Sequence, residues 1–390
     1  MTAATLHPSR PITGIRYVSL WEASGYSEVA RRQILGLHRA GVPVNWTPMR
    51  RGSLQHGRYA PVPSALVKDP DLEPVCNAPV DYNWTLVHTV PEYFPAWVLE
   101  PGRGHTGGIT VWETDRLPHT WPSLLNRMDR IFVPCRFNRD LFARDGVRKP
   151  IHLLPYIPRS EPLPPRRDLP GVPASHFVFY TINTWTARKA IWLTLQAYLK
   201  TFTARDPVTL VIKTTGNDLT RPRLVEGWYH STRQAVRKLL RQYPDPAAVV
   251  LIDREVPAAD ILALHARGDC YFSLTRSEGW GMGAFDAASW GIPVIITGFG
   301  GQLDFLQPDA PGLVRHTLVP VDDPMGYPSF APDQNWAEPS LDHASQLLRA
   351  ILEDPERARA SATPIREFIR ENFNEKQVTG TLIRNLEGRP

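Results

Sequence analysis

The residues with most chemical content lie at positions 274–306, LTRSEGWGMGAFDAASWGIPVIITGFGGQLDFL. An apolar run of strand length leads into Ser277-Glu278-Gly279-Trp280-Gly281-Met282-Gly283, and a helical pattern follows. Three glycines in five positions at a strand-to-helix junction let the backbone approach a ligand closely. Their N–H groups and the helix N-terminus then suit a diphosphate. Glu278 opens this loop and Asp286 follows eight residues later. At helical spacing both carboxylates point to one elongated ligand, where they accept hydrogen bonds from sugar or ribose hydroxyls. The bland alternative is a turn-capping Glu278 and a solvated Asp286. Further on lie the turn Gly291-Ile292-Pro293, an apolar run and a second glycine loop, Gly298-Phe299-Gly300-Gly301.

A second segment carries cations. Arg188 and Lys189 follow an apolar run at 177–182 and open an amphipathic pattern, where either side chain can contact phosphate. Positive charge at a helix N-terminus opposes the helix dipole, so an anionic ligand makes the placement less costly. The plain alternative is an exposed, solvated pair.

These residues need elements to hold them. Apolar runs of strand length fall at 15–20, 84–88, 109–112, 131–134 and 151–154, with helical patterns at 27–39 and 137–144 between them. Residues 150–173 then hold eight prolines in 24 positions, which reads as a semi-rigid linker. Strand-like runs resume at 177–182, 208–213, 249–252, 270–274 and 293–296, with helical patterns at 189–202, 231–242 and 258–265. Helical segments at 341–352 and 364–385 end the chain. Buried strands alternating with helices make parallel sheets covered on both faces, with ligands beyond the carboxyl ends of the strands.

Composition excludes several classes. The 390 residues suit two domains, and 42% hydrophobic with 21% charged residues describes a globular chain. Lys+Arg of 44 against Asp+Glu of 39 gives +5. That mild bias is compatible with phosphorylated substrates or an anionic membrane surface and does not decide for or against a nucleic-acid acceptor. Three scattered cysteines, Cys76, Cys135 and Cys270, form neither a disulfide framework nor a CxxC metal site, so a reducing cytoplasm is expected. The first residues show no apolar signal region, and no run reaches the length of a membrane span. The oddest counts are 39 prolines and 12 tryptophans. Trp21, Trp112, Trp185 and Trp280 fall at or just past strand ends, where flat faces can stack on a sugar or base, with core packing as the alternative.

The 274–306 segment resembles the donor-site signature of GT-B glycosyltransferases of family four (glycosyltransferase group 1): a Glu, seven residues, a second acid, small residues and a G-x-P-V-I strand. The resemblance implies an α/β fold with two doubly wound Rossmann-like domains facing a central cleft. It assigns residues 1–160 to an acceptor-side domain, 161–175 to the linker, 176–365 to the nucleotide-sugar domain, and 366–390 to a helix packing back on the first domain. It implies that Glu278 contacts the donor sugar and Asp286, one methylene shorter than the usual Glu, the ribose. Lys189 matches the residue that neutralises the donor diphosphate. The family's frequent upstream Arg falls at Asn183, which leaves that contact absent or to Arg188. Lys213 matches a recurrent family position, and Gly25 resembles the N-terminal glycine loop, although an ordinary strand-to-helix turn reads as well. Gly279, Gly281, Met282 and Gly283 complete the donor loop.

Residues 108–142 resemble a subgroup of the family in which the 109–112 strand ends in a histidine. Glu113 stands in that place. Glu113, with Asp115 nearby, is the candidate for orienting or deprotonating the acceptor hydroxyl, and pairing with Arg116 is its structural alternative. His88 is a secondary candidate. The resemblance therefore implies a retaining, metal-independent hexosyltransferase with no cofactor, using a UDP-, GDP- or dTDP-sugar and a hydroxyl acceptor of a polysaccharide, glycolipid or similar glycoconjugate. It would be cytoplasmic, with peripheral contact at the inner membrane face as one option. The competing readings are an epimerase or phosphorylase, a catalytically weak nucleotide- or sugar-binding module of the same fold, and a transferase acting on modified nucleic acid.

Overall fold

The computed structural model describes residues 11–22, 24–51, 59–98, 104–222 and 229–389. The chain forms two compact units. One comprises residues 1–112, 117–158 and 371–390; the other comprises 113–116 and 159–370. A second proline-bearing stretch, residues 48–83, which the sequence offers as a shaper of the acceptor site, lies partly outside the described residues.

In the first unit, β1 (Ile15–Leu20), β2 (Val44–Arg51), β3 (Tyr59–Pro61), β4 (Trp84–His88), β5 (His105–Ile109), β6 (Arg130–Val133) and β7 (Ile151–Leu153) form one sheet of order β3-β2-β1-β4-β5-β6-β7. Every pairing is parallel except β2 with β3. Helices α1 (Gly25–Arg39), α2 (Trp121–Leu125) and α3 (Arg136–Arg144) follow their strands. The strand expected at 109–112 sits earlier, at β5, because its core is Gly107-Gly108. A Cβ on Gly108 would lie 2.4 Å from a Phe94 ring carbon, so only bare backbone fits against that ring. Ile15, Tyr17, Trp46, Leu86 and Phe132 build the core.

In the second unit, β8 (Phe177–Ile182) and β9 (Val208–Lys213) are followed by a short ribbon, β10 (Asn217–Asp218) with β11 (His230–Ser231). Then come β12 (Ala248–Ile252), β13 (Cys270–Ser273), β14 (Val294–Thr297) and β15 (Leu313–Val314). The main sheet runs β12-β9-β8-β13-β14-β15, all parallel. The helices are α4 (Ile191–Thr201), α5 (Thr232–Leu240), α6 (Ala258–Arg267), α7 (Met282–Ser289), α8 (Leu303–Leu306), α9 (Leu341–Glu353) and α10 (Pro355–Asn372). An antiparallel hairpin, β16 (His316–Pro320) with β17 (Asn335–Pro339), stands outside the sheet. Its strands went unrecognised in the sequence.

The last helix, α11 (Glu375–Glu387), belongs to the first unit, where Val378, Leu382 and Leu386 join the core of β1, β2 and α1. A single helix expected at 364–385 is in fact two, and Pro364 sits inside α10. The proline-rich stretch from Arg159 onward is strapped to the second unit. Arg159 pairs with Asp286, Arg166 with Asp269, and Arg267 donates to the Pro173, Ala174 and His176 carbonyls. Among the described residues no helix is long and apolar enough to cross a membrane.

Candidate active site

Four charged side chains converge where the loops after β8 and β13 meet. Lys189 ends the loop that follows β8, and its helix starts two residues later at Ile191. It therefore lies outside the helix N-terminus that the sequence suggested. Its ammonium donates to both oxygens of Glu278, at 2.6 and 2.5 Å. Arg188 donates to the Ser277 carbonyl at 2.8 Å, pairs with Glu113 at 3.1 Å and stands 3.7 Å from Glu278. All four are mostly buried, with side-chain exposures of 7% for Glu278, 16% for Lys189 and 17% each for Arg188 and Glu113. Burial pushes the Lys189 ammonium below the usual lysine range, while the Glu278 charge opposes that shift. Two carboxylates against two cations leave the cluster near neutral.

Residues 113–116 belong to this unit although the chain on either side belongs to the first. Ser277 Oγ donates to the Glu113 carbonyl, and Thr114 Oγ1 to Gln334 at 2.8 Å. The Asp115 carboxylate accepts from the Asn335 backbone and side chain at 2.5 and 2.9 Å. Glu113 thus faces Arg188, and Asp115 secures the segment to β17. The loop is braced from behind by Arg276, a residue the sequence reading passed over. It bonds Glu338 at 2.8 Å and lies over the rings of Trp192 and Trp336 at 5.4 and 5.0 Å, while its N–H holds the Arg188 carbonyl. Its position one residue before Ser277-Glu278 was the available signal.

The glycines divide the labour differently from expectation. Gly281 has φ +90°, in the left-handed region, and stops the loop so that α7 begins at Met282. Glu278 is therefore not helical, and the helix-face relation to Asp286 does not hold. Gly301 fits backbone, since a Cβ there would lie 2.0 Å from the Gly279 carbonyl oxygen. Gly301 N–H donates to the Glu278 carbonyl at 2.8 Å, so the second glycine loop buttresses the first. Gly283 admits the Tyr271 hydroxyl, which a Cβ would approach to 2.6 Å.

A family model described as family 4 glycosyltransferases in conflict systems matches residues 137–382, well over half of the chain. The chain belongs to this family. No sequence among the curated proteins matches it. Solved structures agree on the fold. Sucrose-phosphate synthase from Thermosynechococcus elongatus superposes with a TM-score of 0.68 at 15% identity, over 97% of this chain and 99% of that one. HepE of Anabaena in complex with UDP-glucose gives 0.64 at 14%, over 96% and 99%. The Escherichia coli structure described as trehalose-6-phosphate bound with UDP-2-fluoro glucose gives 0.61 at 11%, over 96% and 98%. The fold is GT-B, with two Rossmann-like domains.

In this glycosyltransferase the remaining candidates stand apart from the four-residue cluster. Asp286, in α7, is 7% exposed and pairs with Arg159 at 3.2 Å, close to His265. Asn183 bonds Thr181 and Ser273 on neighbouring strands. Lys213 donates to the Thr214 carbonyl and lines a separate cavity of about 570 Å³ with Arg167, Arg233 and Arg254; neither Lys189 nor Glu278 lines it. In the first unit, Gly25 is the exposed first residue of α1, at the junction after β1, with Ser24 as the N-cap. His88 is 1% exposed and bonded to the Tyr17 hydroxyl at 2.8 Å; burial drops its pKa to about 3, which makes it a neutral structural residue. Three of the four strand-end tryptophans are core: Trp112, Trp185 and Trp280 are 4%, 3% and 2% exposed. Only the half-buried Trp21, edge-on to Trp46, keeps an open face.

Proposed function

We propose that this glycosyltransferase moves a hexosyl group from a nucleotide sugar to a hydroxyl acceptor with retention of configuration and without a metal ion. The observation that carries the reading is the Lys189–Glu278 pair beside Arg188 and Glu113. Two desolvated cations sit at the carboxyl ends of β8 and β13 next to a glycine loop, which suits a nucleoside diphosphate. Lys189 and Arg188 would take the diphosphate and stabilise its charge as the glycosidic bond breaks. Glu278, released from Lys189, would accept hydrogen bonds from the sugar hydroxyls, with the amides of Gly279, Gly281, Met282 and Gly283 alongside. Glu113, held by Arg188, would orient the acceptor hydroxyl. HepE of Anabaena was solved with UDP-glucose, which supports UDP-glucose as the first donor to try. A cytoplasmic setting, peripheral membrane contact, a glycoconjugate acceptor and a modified nucleic-acid acceptor stand as extensions of this reading.

The test is nucleotide release from UDP-, GDP- and dTDP-sugars. Slow release that falls sharply in Lys189→Ala and Glu278→Ala is expected. Tight nucleotide binding without turnover of any donor would replace the transferase with a binding module. Release abolished by a chelator would remove the metal-free part, and an inverted product anomer in NMR would remove retention.

A further inference from the structure

The backbone is strained beside the active-site cluster, at Ala190. Its φ is +41°, in the left-handed region, and its side chain is fully buried. A helix N-cap is ordinarily extended, and a residue carrying a Cβ stores strain in left-handed geometry. Ala190 is nevertheless the N-cap of α4, and it follows Lys189 directly. Its dihedrals therefore set the direction in which the chain leaves Lys189, and with it the reach of the ammonium to Glu278. Such a conformation persists only where the surroundings over-determine it.

Within the segment, the Ala190 N–H donates to the Thr186 carbonyl at 3.0 Å and the Lys189 N–H to Thr186 Oγ1 at 3.3 Å. From outside, one residue takes both carbonyls that precede Lys189. The Arg276 N–H donates to the Arg188 carbonyl at 2.8 Å, and Arg276 Nη1 to the Ala187 carbonyl at 3.4 Å. Arg276 is itself held fast. Its guanidinium lies over the rings of Trp192 and Trp336, its Nε bonds Glu338 at 2.8 Å, and its carbonyl accepts from the Ala337 N–H at 3.0 Å. Ala187 packs in the same small apolar cluster as Trp336, with Trp192 against it. Since Arg276 stands two residues before Glu278, one residue grips both loops whose charges meet.

The task suits an arginine. A guanidinium presents donors in several directions while its flat face rests on aromatic rings, and an ammonium offers no such fork. We propose that Arg276 is a positioning residue for the Lys189–Glu278 site: it holds the strained turn at Ala190 and so places Arg188 and Lys189 for the diphosphate. This rests on the transferase reading of that site and adds to it a residue which that reading does not use. Substitution removes the side-chain share of the grip, at Ala187, Glu338 and the two rings, and leaves the main-chain bond to Arg188. The loss is therefore partial.

The experiment reads Arg276→Met in two ways. The first is hydrogen exchange of the full chain without ligand. Amides of residues 186–191 should exchange about tenfold faster than in wild type, while those of β1 and β4 keep their rates. Unchanged exchange at 186–191 overturns the grip, whether or not any donor is turned over. The second is the kinetics of nucleotide release from the donor that wild type uses. There kcat should fall about tenfold with KM changed by less than about twofold, since a misplacement of ~1 Å costs up to about 10²-fold. Ala190→Gly, which adopts left-handed geometry without strain, should recover about threefold of that loss in the Arg276→Met background. A kcat equal to wild type, or a fall that Ala190→Gly does not recover, reduces Arg276 to a structural residue and overturns the proposal. Arg276→Lys, which keeps a charge over the rings and loses the fork, supplies the same readings should Arg276→Met not fold. Wild type that releases nucleotide from no donor fells the transferase reading instead, and the exchange rates tell the two failures apart.

Discussion

Strand β13 carries a buried carboxylate near each end, and the two are built to opposite purposes. Just before its first residue, Asp269 is 2% exposed and meets Arg166, Arg267 and Arg359 at 3.0, 3.3 and 3.0 Å, with the Val178 N–H at 2.9 Å. Beyond its carboxyl end, Glu278 is 7% exposed and meets Lys189 and, more loosely, Arg188. At Asp269 one of the cations is occupied elsewhere too, since Arg267 also donates to three backbone carbonyls. At Glu278 the two hydrogen bonds of the Lys189 ammonium go to one carboxylate, although an ammonium offers three N–H donors. A carboxylate held by three arginines and a backbone N–H, one of those arginines itself fixed by carbonyls, is a staple. Glu278 instead shares Arg188 with Glu113, the arrangement that the proposed diphosphate contact would draw on.

Replacing Asp269 is the strongest way to break this contrast. Asp269→Ala leaves the buried Arg267 without its carboxylate, and a loss of about 3–5 kcal/mol in unfolding free energy is expected by urea titration. The exposed halves of Arg166 and Arg359 contribute little to that figure. An unfolding midpoint equal to wild type would show that Asp269 is no staple. Next in size, Lys189→Ala should lower nucleotide release by about 10²-fold while shifting the melting temperature far less than Asp269→Ala does. Equal damage to both quantities would make the Glu278 cluster another staple.

Asp286 sharpens the comparison, because its family role is ribose contact and its observed partner is Arg159. Asp286→Asn should cost about 1.5–3 kcal/mol of stability, the range for hydrogen bonds to charged groups, with little change in donor KM. A raised KM at constant stability would restore the ribose contact. The smallest effect concerns two buried histidines, one in each unit. Burial holds His88 at about 3 and His265 at about 4, so both are neutral in the folded protein below the usual histidine value of 6.5. The unfolded chain then binds more protons, so stability falls as pH drops from about 6.5 towards 4, by about 1.4 kcal/mol per pH unit for each histidine. Urea titrations across that range should show the slope, and His88→Gln should remove its share; a flat profile would contradict the buried neutral state.

Legibility in the sequence followed locality. The strands of Val, Ile and Phe runs, such as β1, β8 and β9, were readable because a two-sided parallel sheet demands continuous apolar residues. The Gly107-Gly108 strand was not, since its glycines answer to Phe94 from another part of the chain. The hairpin β16–β17 was missed for the same reason. Its anchor is the stacking of Arg276 on Trp336, and nothing within the hairpin announces it.

The chain alone determined that a glutamate and a glycine loop follow one buried strand while a lysine follows another. It also determined that the second unit repeats the strand–helix alternation of the first. Those are properties of short windows, where residue type and spacing dictate backbone geometry. Only tertiary structure decided which charge meets which. Glu113 meets Arg188, Asp286 meets Arg159, and Lys213 turns to a different cavity. Ion pairs are set by which strand ends lie side by side in the sheet, and the order β12-β9-β8-β13-β14-β15 brings together residues 89 positions apart.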